Sequence, residues 1–239
     1  MRKVLNINTQ SHTLTKLNIE VHFQELVQTI QISTKKSDIL AIAKKTLDKV
    51  NNTWNPAIVY RWLPFESSKT EPEKSVIRGD NGPVLLDLGY SSKFVNEARF
   101  VLVAVYSLGN ALEKEVHKSS ANGDFLVSFF LDLIGMFILE KTGDIIKKIA
   151  EKKAADLGWG VSPFLSPGSI HGWSLEEQLK LCPLLPLKNI EVKITKNAVL
   201  VPFKSLSCLI GIGSGYSATL VGTTCQVCSQ NDVCQMKQL

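Results

Sequence analysis

The segment 98–107, which reads ARFVLVAVYS, constrains the fold more than any other part of the chain. It is almost uninterrupted in apolar residues, and the Leu108-Gly109 pair that follows is a turn signal. A continuous apolar run is typical of a strand that is buried on both faces, whereas a strand with one face in water alternates. We therefore predict a sheet that contains this strand and is covered on both sides.

The rest of the chain predicts helices together with short strands, and hence an α+β fold with a mixed or antiparallel sheet and flanking helices. Ser174 is a predicted helix cap, and Glu177 three residues later would complete a capping box. Helices are predicted within 18–33 and at 37–49, 91–97, 111–118 and 124–156, strands at 57–62, 84–88, 98–107, 190–194, 198–201 and 205–212, and a loop at 66–83.

Three regions are predicted along the 239 residues: an N-terminal extension at 1–34, a core at 35–216 and a cysteine-containing tail at 217–239. The apolar stretch 125–139 is shorter than the roughly 20 residues that a membrane span needs, and Asp132 lies within it. We read it as a buried helix and expect no membrane partner. No secretory signal is evident at the N-terminus, so a cytoplasmic location is expected.

The formal net charge is +5, but acidic and basic residues alternate along most of the chain. The one strongly basic run contains Lys147, Lys148, Lys152 and Lys153, and Glu151 interrupts it. This pattern indicates a solvated helix face. Nucleic-acid binding would require a basic patch with exposed aromatic residues among the charges, so we expect no nucleic-acid partner.

Two short segments carry the functional signal. The first is 164–169, FLSPGS, and the second is 201–208, VPFKSLSC. Gly168 allows a backbone to approach a ligand closely, and Pro167 stiffens that approach. Serines beside the bend can present hydroxyl or backbone N–H groups. Taken alone, the first segment favours an ordinary surface turn, and only the second segment and the surrounding layout reverse that preference.

Together with Val59-Tyr60-Arg61, the 105–109 turn and the helix around Asp132, these segments resemble the reactivation domain of cobalamin-dependent methionine synthase, in its stand-alone form. The resemblance covers about 37–215. In that family an R-x-x-P-G-Y segment and a P-x-x-S-V-S segment flank a cleft for S-adenosylmethionine. The resemblance implies that the cleft here is lined by Ser166, Pro167, Gly168, Ser169, Lys204, Ser205 and Ser207.

The family domain binds S-adenosylmethionine and docks over a cobalamin module, where an electron and the sulfonium methyl group restore methylcobalamin. The resemblance therefore implies an accessory protein rather than an independent catalyst. Its expected partner is a corrinoid protein or a methionine synthase core, and its expected cofactors are S-adenosylmethionine and the cobalamin that the partner presents.

Three departures from the family pattern bear on ligand binding. Phe164 stands where the family has an arginine, which is expected to pair with the ligand carboxylate. Ser169 stands where the family has a tyrosine, and Lys196 stands where it often has an acidic residue. A charged hydrogen bond contributes about 1.5–3 kcal/mol, so its loss should weaken binding roughly 10- to 100-fold. Lys196 or Lys204 could replace part of the arginine's role, although a lysine lacks the forked geometry.

The C-terminal tail contains Cys225, Cys228 and Cys234, with the spacing C-x2-C-x5-C. Thiolates at this spacing can hold a 4Fe–4S cluster or zinc, with Cys208 or Cys182 as the fourth ligand. Free or disulfide-linked thiols are the alternative. Three functions thus remain open from the sequence: a corrinoid-protein accessory module, an iron–sulfur redox protein on the same fold that donates electrons to a corrinoid protein, and a non-catalytic scaffold.

Overall fold

Strand β5 (Phe100–Ser107) lies inside the main sheet, as its apolar sequence predicts. The structure is a computed structural model that describes residues 7–30, 37–51, 53–68, 70–169 and 173–223. The strands that accompany β5 are β1 (His12–Leu14), β2 (Ala57–Ser67), β3 (Lys74–Gly79), β4 (Gly82–Asp87), β6 (Gly160–Val161), β7 (Lys193–Ile194), β8 (Leu200–Val201) and β9 (Ser205–Gly213). The helices are α1 (Phe23–Ile30), α2 (Ser37–Val50), α3 (Ala111–Ala121), α4 (Phe125–Asp156) and α5 (Gln178–Leu181), with 3-10 turns at Gly89–Phe94, Leu175–Glu177, Cys182–Leu184 and Leu187–Ile190.

The main sheet has seven strands in the order β4-β3-β2-β5-β9-β6, and β1 pairs with β2 at one end. Every pairing is antiparallel. Strand β5 is hydrogen-bonded along its whole length to β2 on one side and β9 on the other. Strands β7 and β8 form a separate two-stranded sheet. The predicted α+β class, with an antiparallel sheet and flanking helices, is confirmed.

Alternate residues of β5 enter two different cores, which explains its continuous apolar sequence. Val101, Val103 and Val105 pack into the first core, under the chain that follows Trp173. Leu102, Ala104 and Tyr106 pack into the second, against the C-terminal half of α4. Burying one large apolar side chain contributes about 1.5–3 kcal/mol, so both faces stabilise the sheet.

A third core joins α1, α2 and α3 to the N-terminal half of α4. The described part of the N-terminal extension contributes to this packing from Leu17 onward, whereas β1 belongs to the main sheet: Leu26 is fully buried, and the indole of Trp54 donates to the Ile19 carbonyl at 2.9 Å. The boundary at residue 34 stays a prediction. Among the described residues, no helix, including the 32-residue α4, has the length and apolar character that a membrane span needs.

The loop predicted at 66–83 is wrong, because this stretch forms the β3–β4 hairpin and the end of β2. Gly79 pairs with Gly82, and Asp80-Asn81 form a two-residue turn between them. Gly82 has a φ of +108°, which a residue without a side chain adopts at little cost. The polar turn residues thus mark a hairpin rather than a long loop.

Two further local predictions need correction. The helix predicted at 91–97 is a short 3-10 turn at Gly89–Phe94. Ser174 does cap the next 3-10 turn, since its side chain accepts from the Glu176 N–H. The capping box is incomplete, however, because the Glu177 carboxylate accepts instead from the Asp87 N–H at 3.1 Å. Glu177 therefore connects this turn to strand β4.

Candidate functional site

The bend at Pro167-Gly168 and the first residues of β9 both line one groove of about 470 Å³. Met136 and Leu139 of α4 also line it. Of the seven cleft residues expected from sequence, the six that line the groove are Ser166, Pro167, Gly168, Ser169, Lys204 and Ser205. The seventh, Ser207, is fully buried beside them. The structure thus brings both segments to one place.

The bend is held by backbone hydrogen bonds and by a glycine that its geometry requires. The Gly168 N–H donates to the Trp173 carbonyl at 2.9 Å, and the Ser169 N–H donates to the Ser166 carbonyl at 3.2 Å. Gly168 has a φ of +78°, and a Cβ there would lie 3.1 Å from the side chain of Leu175. Both the backbone angle and the space therefore favour glycine at this position.

A chain of buried hydrogen bonds joins the walls of the groove. The Ser166 hydroxyl donates to the Ser207 carbonyl at 2.8 Å, and the Ser207 hydroxyl donates to Gln178 Oε1 at 2.6 Å. The other end of the same amide, Gln178 Nε2, donates to the Ala198 carbonyl at 2.8 Å. Sequence reasoning missed Gln178, and no local pattern distinguishes this buried glutamine from an exposed one.

Ser205 and Lys204 have partners of their own at the mouth of the groove. The Ser205 hydroxyl donates to the Pro202 carbonyl at 2.6 Å and lies 2.9 Å from Ser107 Oγ. Lys204 Nζ lies 2.9 Å from Asp132 Oδ1, and its stem passes over Gly135, where a Cβ would be 3.2 Å from Lys204 Cε. The lysine charge is therefore already neutralised by a carboxylate.

Neither of the other two positions that bear on ligand charge, Phe164 and Lys196, lines the groove. Phe164 is buried in the second core and lines no part of the groove. Lys196 is exposed and is likewise absent from the groove lining. Lys204 is thus the one cation among the described lining residues, and it is paired. Nothing described in the groove replaces the arginine that the family pattern places at position 164.

A second, smaller cavity of about 250 Å³ adjoins the groove and shares Met136, Leu139 and Leu206 with it. We call it the chamber. Its remaining lining residues are Tyr106, Glu140, Gly143, Lys147, Phe164 and Thr223. Lys147 Nζ lies 2.8 Å from Asp144 Oδ1.

Burial shifts the pKa of two groups that line the chamber. It raises the pKa of the Tyr106 phenol well above its ordinary value, and the neighbouring Cys208 adds to the effect. Burial also raises the pKa of the Glu140 carboxyl, with a further contribution from Asp144. The phenol is therefore neutral throughout the physiological range.

The rim of the groove is apolar and open to solvent. Phe203 is 69% exposed, Met136 51% and Leu175 42%. Val199, which also lines the groove, is exposed as well. Large apolar side chains that cluster at one place on a surface are typical of a binding interface, whereas scattered ones are not informative.

The structure describes only two of the five cysteines that were named as candidate metal ligands. Cys225, Cys228 and Cys234 lie outside the described residues. Cys182 and Cys208 are buried free thiols in different cores, one on each face of the sheet. Burial raises the pKa of Cys182 to about 12, which disfavours the thiolate that a metal requires. Among the described residues, no group of three or more His, Cys, Asp or Glu side chains is arranged to hold a metal.

The comparisons with known proteins agree with this geometry. No family model and no curated protein matches the chain. Among solved structures, it is similar to the MetH reactivation domain bound to AdoHcy, with a TM-score of 0.62 over 88% of this chain and 81% of that chain, at 12% sequence identity. The chain has the reactivation-domain fold. The resemblance predicted from the two short segments is therefore confirmed at the level of the fold.

The reactivation-domain fold does not by itself assign a ligand to the groove. At 12% identity, the side chains that line it are this chain's own. The solved domain carries AdoHcy, which is a nucleoside with a charged amino-acid end. The groove described here has the hydroxyls and the glycine bend, but its one described cation is neutralised by Asp132.

Proposed function

We propose that this chain is an accessory module for cobalamin-dependent methyl transfer, which binds and positions its partners and is not an independent catalyst. One observation carries the proposal: in a chain with the reactivation-domain fold, the Pro167-Gly168 bend and the start of β9 line one groove together. These are the two segments that the family resemblance places on either side of its ligand. No acid–base pair aimed at a common point is needed for such a role.

The groove suits a nucleoside of the S-adenosylmethionine type. Its volume of about 470 Å³ lies within the range of about 300–1,000 Å³ that is usual for small-molecule sites. Leu200 and Leu206 contribute apolar surface to its lining, while Ser169 at the exposed bend offers a hydroxyl. When bound, S-adenosylmethionine would supply the methyl group. The residues of this chain would hold the ligand and orient it.

The charged end of such a ligand finds little support. Where the family pattern has an arginine to pair with the ligand carboxylate, this chain has the buried Phe164. The nearby Lys204 already has Asp132 as its partner. We therefore expect S-adenosylmethionine and AdoHcy to bind, but roughly 10- to 100-fold more weakly than a site with that arginine would bind them. Isothermal titration with AdoHcy measures this directly.

The apolar rim is the proposed docking surface for a corrinoid protein. Phe203 and Met136 stand beside the groove mouth, so a partner that covers them would also cover the bound ligand. Such an arrangement would bring a cobalamin on the partner close to the ligand in the groove. Large exposed apolar side chains at the centre of an interface commonly contribute most of its binding energy.

The docking proposal is tested by mixing the purified chain with a cobalamin-loaded corrinoid domain and following the corrin absorbance through size-exclusion chromatography. We expect co-elution, and we expect Phe203→Ser to abolish it. Phe125→Ser is the matched control, because Phe125 is 71% exposed, similar to Phe203 at 69%, and begins helix α4 away from the groove. Absence of co-elution, or an equal effect of both substitutions, would refute the docking surface. The AdoHcy titration is independent of this result.

A further inference from the structure

The Val59-Tyr60-Arg61 motif of β2 lines no part of the groove, but its arginine lines a third cavity, of about 450 Å³. The turn of the β3–β4 hairpin forms one part of this cavity, and the 3-10 turn at Cys182–Leu184 contributes to another. We call it the hairpin pocket. It shares no lining residue with the groove or the chamber, so it is a separate candidate site.

The guanidinium of Arg61 is a buried charge with an exposed counter-ion. The Arg61 side chain is 11% exposed, whereas that of Asp80, its partner in the hairpin turn, is 74% exposed. Arg61 donates to both oxygen atoms of this carboxylate, and the distance from Nη1 to Oδ2 is 2.8 Å. A buried guanidinium requires an anionic partner, but a carboxylate that is mostly in water gains little from the pair. Arg61 therefore needs an anion, while Asp80 can be released into water at small cost.

Arg61 also keeps donor capacity that the described part of the fold does not use. A guanidinium has five N–H groups. Three of them have an acceptor among the described residues, one at the Thr9 carbonyl and two at Asp80. The other two belong to a side chain that lines the pocket. If Asp80 leaves, the planar fork becomes available to two oxygen atoms of another anion, a geometry that phosphate groups match well.

A second cation borders the same pocket. Lys180 of α5 lines it, and its Nζ lies 2.6 Å from Glu177 Oε1. Glu177 itself does not line the pocket, and its other carboxylate oxygen accepts from the Asp87 N–H. The charged residues in the described lining are thus two cations and one carboxylate, Asp80. This positive balance favours an anionic ligand.

The volume and the remaining walls define the rest of the ligand. A cavity of about 450 Å³ lies within the range of about 300–1,000 Å³ that is usual for small-molecule sites. Pro183, Leu184 and Pro186 add apolar surface to the lining. A phosphate monoester carries a charge of about −1.5 to −2 at neutral pH, which suits two cations, whereas a monocarboxylate carries a single charge.

We propose that the hairpin pocket binds a small phosphate monoester. The phosphate displaces Asp80 from Arg61, Lys180 provides the second positive charge, and the organic part of the ligand packs on the apolar wall. Asp80 acts as an internal competitor, which pairs with the arginine until an anion of higher charge replaces it. This site does not depend on the proposed function, because the groove lies elsewhere and has its own lining.

The test is isothermal titration in phosphate-free buffer with inorganic phosphate, phenyl phosphate and acetate. Asp80→Asn removes the competing carboxylate, so it should bind inorganic phosphate about 2- to 10-fold more tightly than the wild type. Phenyl phosphate should bind more tightly than inorganic phosphate, because its ring would bury apolar surface. Acetate should bind at least about tenfold more weakly than phosphate, because it lacks the second charge.

Glu66→Gln is the matched control for Asp80→Asn. It removes the carboxylate of another arginine pair, Arg78–Glu66, which joins β3 to β2 and lines no part of the pocket. Its phosphate affinity should equal that of the wild type. Phosphate should also raise the Tm of Asp80→Asn more than that of the wild type, because a ligand stabilises the folded state according to its affinity.

A pair of lysine variants separates a local contact from the general attraction of a basic surface. Lys180→Met should weaken phosphate binding about tenfold or more, whereas Lys188→Met should leave it unchanged. Both lose one positive charge, but Lys188 is exposed in the 3-10 turn at Leu187–Ile190 and lies outside the pocket lining.

Several results would overturn the proposal. One is that neither the wild type nor Asp80→Asn binds phosphate at millimolar concentration. Another is that Glu66→Gln tightens binding as much as Asp80→Asn, or that both lysine variants lose affinity equally. Acetate binding as tight as that of phosphate would refute the phosphate monoester. Asp80→Asn should leave AdoHcy binding and corrinoid co-elution unchanged, so the failure of either groove proposal is read separately from this one.

Discussion

Replacing Gln178 with methionine should destabilise the protein, because this amide joins the walls of the groove. Methionine has a similar length but cannot hydrogen-bond as an amide does. The substitution would leave two groups without their described partners: the Ser207 hydroxyl, whose residue is fully buried, and the Ala198 carbonyl. An unsatisfied buried polar group costs about 1–3 kcal/mol, so the pair predicts a loss of about 2–6 kcal/mol.

The assay is thermal and urea unfolding of Gln178→Met, Ser207→Ala and the double variant. For a chain of this size each kcal/mol lowers Tm by about 2–4 °C, so Gln178→Met should lower it by at least about 4 °C. The double variant removes both members of the Ser207–Gln178 bond and leaves only the Ala198 carbonyl unpaired. Its loss should therefore be smaller than the sum of the two single losses.

The control is Gln24→Met on helix α1, where the glutamine is exposed, and we expect a change within about 0.5 kcal/mol. A Tm for Gln178→Met that matches the wild type would show that the buried network does not stabilise the fold. Strict additivity in the double variant would show that Ser207 and Gln178 act independently, and would refute the reasoning even if each single loss had the expected size.

Two other predictions concern titratable groups. Hydrogen bonding to Lys141 lowers the pKa of Glu25. The carboxylate therefore stabilises the fold above its unfolded pKa near 4.5, and this contribution is lost as the pH falls through the folded pKa. Glu25→Gln should thus be less stable than the wild type at neutral pH, and the difference between their urea midpoints should shrink in acid. A difference that grows in acid would contradict this sign. Burial raises the pKa of Cys182 to about 12, and that of Cys208 as well. In a variant with serine at the three tail cysteines, no thiol should react with Ellman's reagent at mildly alkaline pH until urea is added, and rapid reaction of the native protein would disprove it.

The parts of the fold that could be predicted are those that local sequence determines. A strand that is covered on both faces needs apolar side chains on both of them, so the nearly continuous apolar run at 98–107 predicts such a strand. The bend at Gly168 was likewise identifiable, because a Pro-Gly pair restricts the backbone in a recognisable way. In contrast, the β3–β4 hairpin was missed because its turn residues, Asp80 and Asn81, also occur in long loops.

Pairings between distant parts of the chain could not be predicted. Lys204 was expected to be free to meet a carboxylate on a ligand, yet it lies beside Asp132 of α4. Gln178 is buried only because Ser207 and Ala198 meet it from two other segments. Such partners depend on how the elements pack, and periodicity within one element contains no information about them.

The groove and its charge are thus determined by different residues, and this separation limits what the fold implies. The shape depends on the Gly168 backbone and on hydrogen bonds among Ser166, Ser207 and Gln178, none of which requires a charged ligand. The preference for a charged ligand depends on position 164 and on Lys204. Position 164 is an aromatic Phe, and the charge of Lys204 is neutralised by Asp132. A chain can therefore keep the reactivation-domain fold while the charges along its groove change, because losing those charges leaves the walls in place.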